Sequence, residues 1–152
     1  MKHQPKKNST DHYQQDQFRA HGRVEMQLKG NIICVDACGP FNIELTNALA
    51  SLEAEFLATV VAKGPFYEIV TFSESVLASL EVMEAHRQLL VMLKGAGFAH
   101  KATAYVILDD LEGAEFTGPI AAQNYAAVGW PFRIFQRQSD AENWINSLMS
   151  SE

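Results

Sequence analysis

An α/β domain with a mixed five-stranded sheet is what this sequence predicts, and three observations carry the expectation. Short stretches of alternating or continuous apolar residues are interleaved with longer ones whose apolar residues recur at three- and four-residue spacing. Their order is strand, strand, helix, then strand and helix three times over. At 152 residues and 47% apolar content, the chain is long enough for one domain with a core that needs no disulfide or metal support.

Residues 1–22 are rich in Gln, His, Lys and Asp, and they hold too little apolar surface to offset chain entropy. They are expected as a polar tail or a short ordered arm, with the folded domain occupying residues 23–152. His3, His12 and His21 within the tail are nine apart, which matches no helical or strand pairing for a metal. From Val24 the pattern changes. Val24, Met26 and Leu28 alternate with polar residues, Gly30-Asn31 makes a two-residue turn, and Ile32 to Asp36 returns as an antiparallel partner.

Asn42 caps a helix with Leu45, Leu49, Leu52, Phe56 and Val60 on one face, and Lys63-Gly64-Pro65 stops it. Phe66 to Phe72 is the next strand. A long helix follows, capped by Ser73 or Ser75, spaced by Val76, Leu80, Met83 and Leu90, and ended by Gly95-Ala96-Gly97. Ala102 to Leu108 is almost wholly apolar, as a strand buried on both faces would be. After the polar loop Asp109 to Glu115, a third helix is expected over Phe116 to Val128, starting near Gly118 with Pro119 in its first turn. Phe132 to Gln136 alternates as the last strand, and Ser139 or Asp140 caps a final helix with Ala141, Trp144, Ile145 and Leu148 on one stripe.

Composition excludes several functions. Residues 1–23 carry a charge of +3, so the rest holds −9 of the overall −6, and such an acidic domain would repel nucleic acid. Cys34 and Cys38, four apart, fit neither C-x-x-C redox chemistry nor a zinc site and are expected as half-buried thiols. Asp109, Asp110, Glu112 and Glu115 lack the alternating ligands of a calcium loop. His86 lies mid-helix with no nucleophile beside it in sequence, so no catalytic residue, metal or cofactor is expected. The basic first residues have no apolar segment after them, and the apolar runs are too short to span a bilayer, which places the chain in the cytoplasm.

The element order resembles the STAS fold of bacterial anti-sigma-factor antagonists, and the sequence is similar to the SpoIIAA-like group labelled STAS/SEC14 domain-containing. The resemblance covers residues 24–150 and rests on three places: the Gly39-Pro40 exit from the second strand, Gly97-Phe98 to Ile107 at the fourth, and Phe132-Arg133-Ile134-Phe135 with Asp140 to Ile145. It implies a non-enzymatic regulatory or ligand-binding role, with a protein partner or small ligand at the sheet end carrying the helix starts, and it is compatible with a homodimer. Antagonists of that family carry a phosphorylatable Asp-Ser motif followed by Gly after the third strand. Here Phe72-Ser73-Glu74-Ser75-Val76 has the serines but neither the Asp nor the Gly, leaving Ser73 and Ser75 as candidate phosphoacceptors or anion-binding groups at a helix start.

A second reading follows from the aromatics. Phe116, Tyr125 and Trp130 lie in or beside the third helix, with Trp130 in a turn where full burial is hard to arrange, so they are candidates for a hydrophobic-ligand or membrane surface. The alanine-rich third helix would then be a mobile lid, and the SEC14 label implies a peripheral, lipid-handling relative.

Overall fold

The alternation of strands and helices closes into a six-stranded mixed sheet with four helices in the computed structural model, which describes residues 8–13 and 22–151. In chain order the elements are β1 (Asn8–Ser9), a 3-10 turn (Thr10–Tyr13), β2 (Arg23–Lys29), β3 (Ile32–Cys38) and α1 (Ile43–Val61), followed by β4 (Tyr67–Ser73) and α2 (Leu80–Gly95). The chain then continues through β5 (Thr103–Val106), α3 (Ala114–Ala127), β6 (Phe132–Phe135) and α4 (Gln138–Ser150). The strands lie side by side in chain order. β1, β2 and β3 are antiparallel neighbours, whereas β3 to β6 run parallel.

That order decides the layers. Each parallel step moves to the adjacent strand through a crossover of one hand, so successive connecting helices stack on the same face. The larger core accordingly joins Leu45, Leu52 and Leu57 of α1, Val82 and Leu90 of α2 and Tyr125 of α3 to Ile33, Val35, Val70 and Tyr105 of the sheet. α4 packs on the opposite face, where Ala141 and Ile145 cover Tyr67, Ile69, Ala104 and Val106. Ala102 to Ile107 is buried throughout, in keeping with its almost wholly apolar run.

Several local expectations hold. The hairpin pairs Lys29 with Ile32 across Gly30 and Asn31, and only Gly30, at φ 62°, takes a positive angle, the pattern of a type II′ turn. The Asn42 side chain accepts the Leu45 amide at 3.0 Å, capping α1.

Others are corrected. The sheet has six strands, not five, because Asn8 and Ser9 pair with Met26 and Glu25 at the free edge of β2. Thr10 beside them is buried, and its hydroxyl accepts the Val24 amide at 3.1 Å. Two polar residues give no period-2 signal, so only the waiting edge of β2 reveals this strand. His3 and His21, and the side chain of His12, lie outside the described residues.

Neither Ser73 nor Ser75 caps α2. Ser79 does, accepting the Val82 amide at 3.1 Å, because the chain after β4 first runs extended through bridges from Ser75 to Glu112 and from Ala78 to Phe41. α3 begins at Ala114 rather than near Gly118, so Pro119 lies inside the helix. Gly113 makes that earlier start: its φ is 86°, its carbonyl takes the amides of Phe116 and Thr117, and a Cβ there would stand 2.7 Å from Leu77 Cα. Pro119 is exposed and lacks the N–H that would have met the carbonyl of Glu115. In α4, Arg137 occupies the cap position without a side-chain bond, and Ser139 and Asp140 fall in the first turn, where Asp140 favours the positive helix end.

Candidate functional site

A cavity of about 120 Å³ lies between the sheet and α1, α2 and α3. In doubly wound sheets a crevice opens at strand ends where successive crossovers go to opposite faces. Here α1 to α3 share one face, and the space forms between the layers instead. Its walls are mainly apolar, with Val35, Val70, Leu45, Val82, Leu89 and Leu90 among them. Phe41, Thr46, Leu49, Phe72 and His86 are its partly exposed lining residues and mark the side nearest solvent.

Three ionisable side chains stand at the buried end. Glu53 shares the inward stripe of α1 with Leu49, Leu52 and Leu57, and is 7% exposed. Glu68 alternates with Tyr67 and Ile69 in β4, which puts it on the face covered by α1 to α3 with Val70, at 5% exposure. His100 precedes β5 and is 5% exposed, packed between the rings of Phe66 and Trp130 at 4.7 and 4.8 Å.

A hydrogen-bonded chain fixes one of them. Trp130 Nε1 donates to Thr103 Oγ1 at 2.9 Å, and Thr103 Oγ1 donates to Glu68 Oε1 at 3.2 Å. Among the described residues, Glu53 Oε2 and both ring nitrogens of His100 are buried without a hydrogen-bond partner. Burial raises the Glu68 pKa to about 7 despite the Thr103 bond, and burial together with the charge of Glu68 raises Glu53 well above the carboxylate range. Burial also holds His100 down to about 3, so its imidazole is neutral and its 3.7 Å approach to Glu68 Oε2 is no ion pair at neutral pH.

Toward the partly exposed side, His86 joins a second network. Asn124 Nδ2 donates to the Met83 carbonyl at 3.0 Å and approaches His86 Nδ1 at 3.2 Å. An amide nitrogen only donates, so Nδ1 is the acceptor and the neutral ring carries its proton on Nε2. Nε2 then donates to Tyr105 Oη at 3.4 Å, which lies 3.0 Å from Tyr125 Oη. Burial lowers His86 to about 4 and pushes both tyrosine hydroxyls upward, so all three are neutral near pH 7.

The residues expected from sequence are only partly brought together. Tyr125 lines the cavity but is 3% exposed, and Trp130 is 4% exposed, so neither forms an outward surface. The turn buries Trp130 because its indole finds Thr103 as a partner. Phe116, by contrast, is 45% exposed on α3. Ser73 is exposed at the end of β4, away from the start of α2. Ser75 is 3% exposed and donates to Glu112 Oε1 at 2.7 Å while accepting the Leu77 amide at 3.0 Å, a link between loops rather than a free helix-start hydroxyl. Cys34 and Cys38 are half-buried free thiols. No cluster of three or more metal-ligating side chains is found among the described residues, nor is any helix long and apolar enough to cross a membrane.

Glu53, Glu68 and His100 are not singled out by motif. The available signal is a lone glutamate in the otherwise uncharged Phe66 to Phe72 strand, and another at helical spacing from Leu49 and Phe56. No protein-family model matches the chain, and no curated protein matches its sequence.

Proposed function

We propose that this chain is a non-enzymatic, STAS-like binding protein that holds a small hydrophobic ligand in the cavity between the sheet and α1 to α3. The STAS-like reading is supported by the helix and strand order from β2 to α4, which follows the pattern on which the resemblance rests. The ligand reading is carried by one observation: an apolar cavity whose wall includes buried polar atoms without partners. Buried polar groups left unpaired cost free energy, and a ligand able to pair them would recover it.

Size narrows the ligand. A cavity of about 120 Å³ is smaller than the roughly 300–1,000 Å³ of sites for drug-sized molecules and near the engineered cavity of about 150 Å³ that admits benzene. A membrane lipid with its full acyl chain needs more room, so the lipid-handling alternative is the weaker reading. Thermal unfolding with and without saturating benzene tests the proposal. The midpoint should rise with benzene, and Ala121→Leu or Ala78→Val, which fill the cavity, should diminish the rise. A midpoint indifferent to benzene, with native mass spectrometry showing only the bare chain, would refute it.

A further inference from the structure

The polar end of the cavity specifies a charge. Among the described residues the cavity lining includes two carboxyl groups, two imidazoles, two phenols and the hydroxyls of Thr46 and Thr117, but no Lys or Arg. An anion would enter this low-dielectric space without a counter-charge, at a heavy cost. An ammonium group, in contrast, donates three hydrogen bonds and needs three acceptors. Glu53 Oε2 is unpartnered, neutral His100 has one ring nitrogen free to accept, and Glu68 Oε2 lies 3.7 Å from His100 Nε2, beyond hydrogen-bond length.

Resting on the cavity reading above, we propose that the ligand is a small primary amine whose ammonium group is held by Glu53, Glu68 and His100, with its apolar tail among Val70, Leu90 and Tyr105. The tail is short, since the benzene-sized space takes roughly five or six non-hydrogen atoms in all.

Binding is coupled to proton release. The empty site favours protons on its carboxyl groups, with Glu68 titrating near pH 7 and Glu53 pushed upward by burial and by the charge of Glu68. When the ammonium enters, a carboxyl O–H bond breaks, the proton leaves to solvent, and the carboxylate keeps the electron pair to accept from N–H. The other titratable groups lining the cavity among the described residues are His100 before β5, His86 of α2, Tyr105 of β5 and Tyr125 of α3, all neutral from pH 5 to 8. Affinity for an amine therefore rises by up to about tenfold per pH unit below pH 7 and flattens above the carboxyl titration.

Ligand-observed NMR titrations of the full chain with butylamine, butan-1-ol and butyrate test this. Butylamine should bind at least about tenfold more tightly than butan-1-ol at pH 7.5, a difference typical of a charge-assisted hydrogen bond over a neutral one. Butyrate should show no binding, and the amine's advantage should shrink at pH 5.5. Glu53→Gln and Glu68→Gln should each reduce that advantage, with urea midpoints confirming that the variants fold. If butan-1-ol binds as well as butylamine, the ammonium assignment is wrong while the cavity reading stands. If neither binds, both fall, and the polar end of the cavity holds water alone.

Discussion

Replacing Glu68 by Gln should make the protein more stable, and increasingly so as pH rises. Glu68 is 5% exposed and titrates near pH 7 in the fold, against about 4.3 for an unfolded glutamate. The folded state therefore binds more protons between these values, and stability falls as pH climbs through them. Integrating that difference gives a cost of about 1 kcal/mol at pH 5 and between about 3 and 4 kcal/mol at pH 8. Glutamine cannot ionise, yet its carbonyl can still accept from Thr103, so the Trp130–Thr103 chain survives. The stability difference between variant and parent should thus grow by about 2–3 kcal/mol from pH 5 to pH 8. Neutral His86 and His100 oppose the trend in the parent: both titrate well below an ordinary histidine, so their contribution is lost as pH falls below about 6.5, equally in parent and variant. Urea unfolding followed by circular dichroism at the two pH values measures the difference. A gap that does not change with pH, or one that narrows toward pH 8, would show that Glu68 is not a buried carboxyl with a raised pKa.

Two further expectations concern local anchors. Ser79→Ala should cost about 1 kcal/mol by removing the cap on α2, whereas Ser73→Ala should stay within about 0.5 kcal/mol; comparable urea midpoints for the two would contradict the cap assignment. Tyr125→Phe should cost about 1 kcal/mol by deleting the 3.0 Å contact with Tyr105, and a chemical-shift change at His86 in the same variant would report the shared network.

The local sequence determines much of this protein. Apolar periodicity and the breakers Gly30-Asn31 and Lys63-Gly64-Pro65 delimit the hairpin and α1, because hydrogen bonding and side-chain direction within one element depend on near neighbours. Where ends depend on distant contacts, the reading from sequence shifts. The start of α2 at Ser79 follows from Ser75 and Ala78 bridging to Glu112 and Phe41, and the start of α3 follows from Gly113 resting against Leu77. The candidate site is still less local. Glu53, Glu68 and His100 come from α1, β4 and the approach to β5, and nothing in their spacing along the chain brings them to one point. Only the stacking of α1 to α3 on one face does so. Water is removed from their charges there, and that desolvation, a property of the packed interior, raises both carboxyl groups and lowers the imidazole away from their ordinary values.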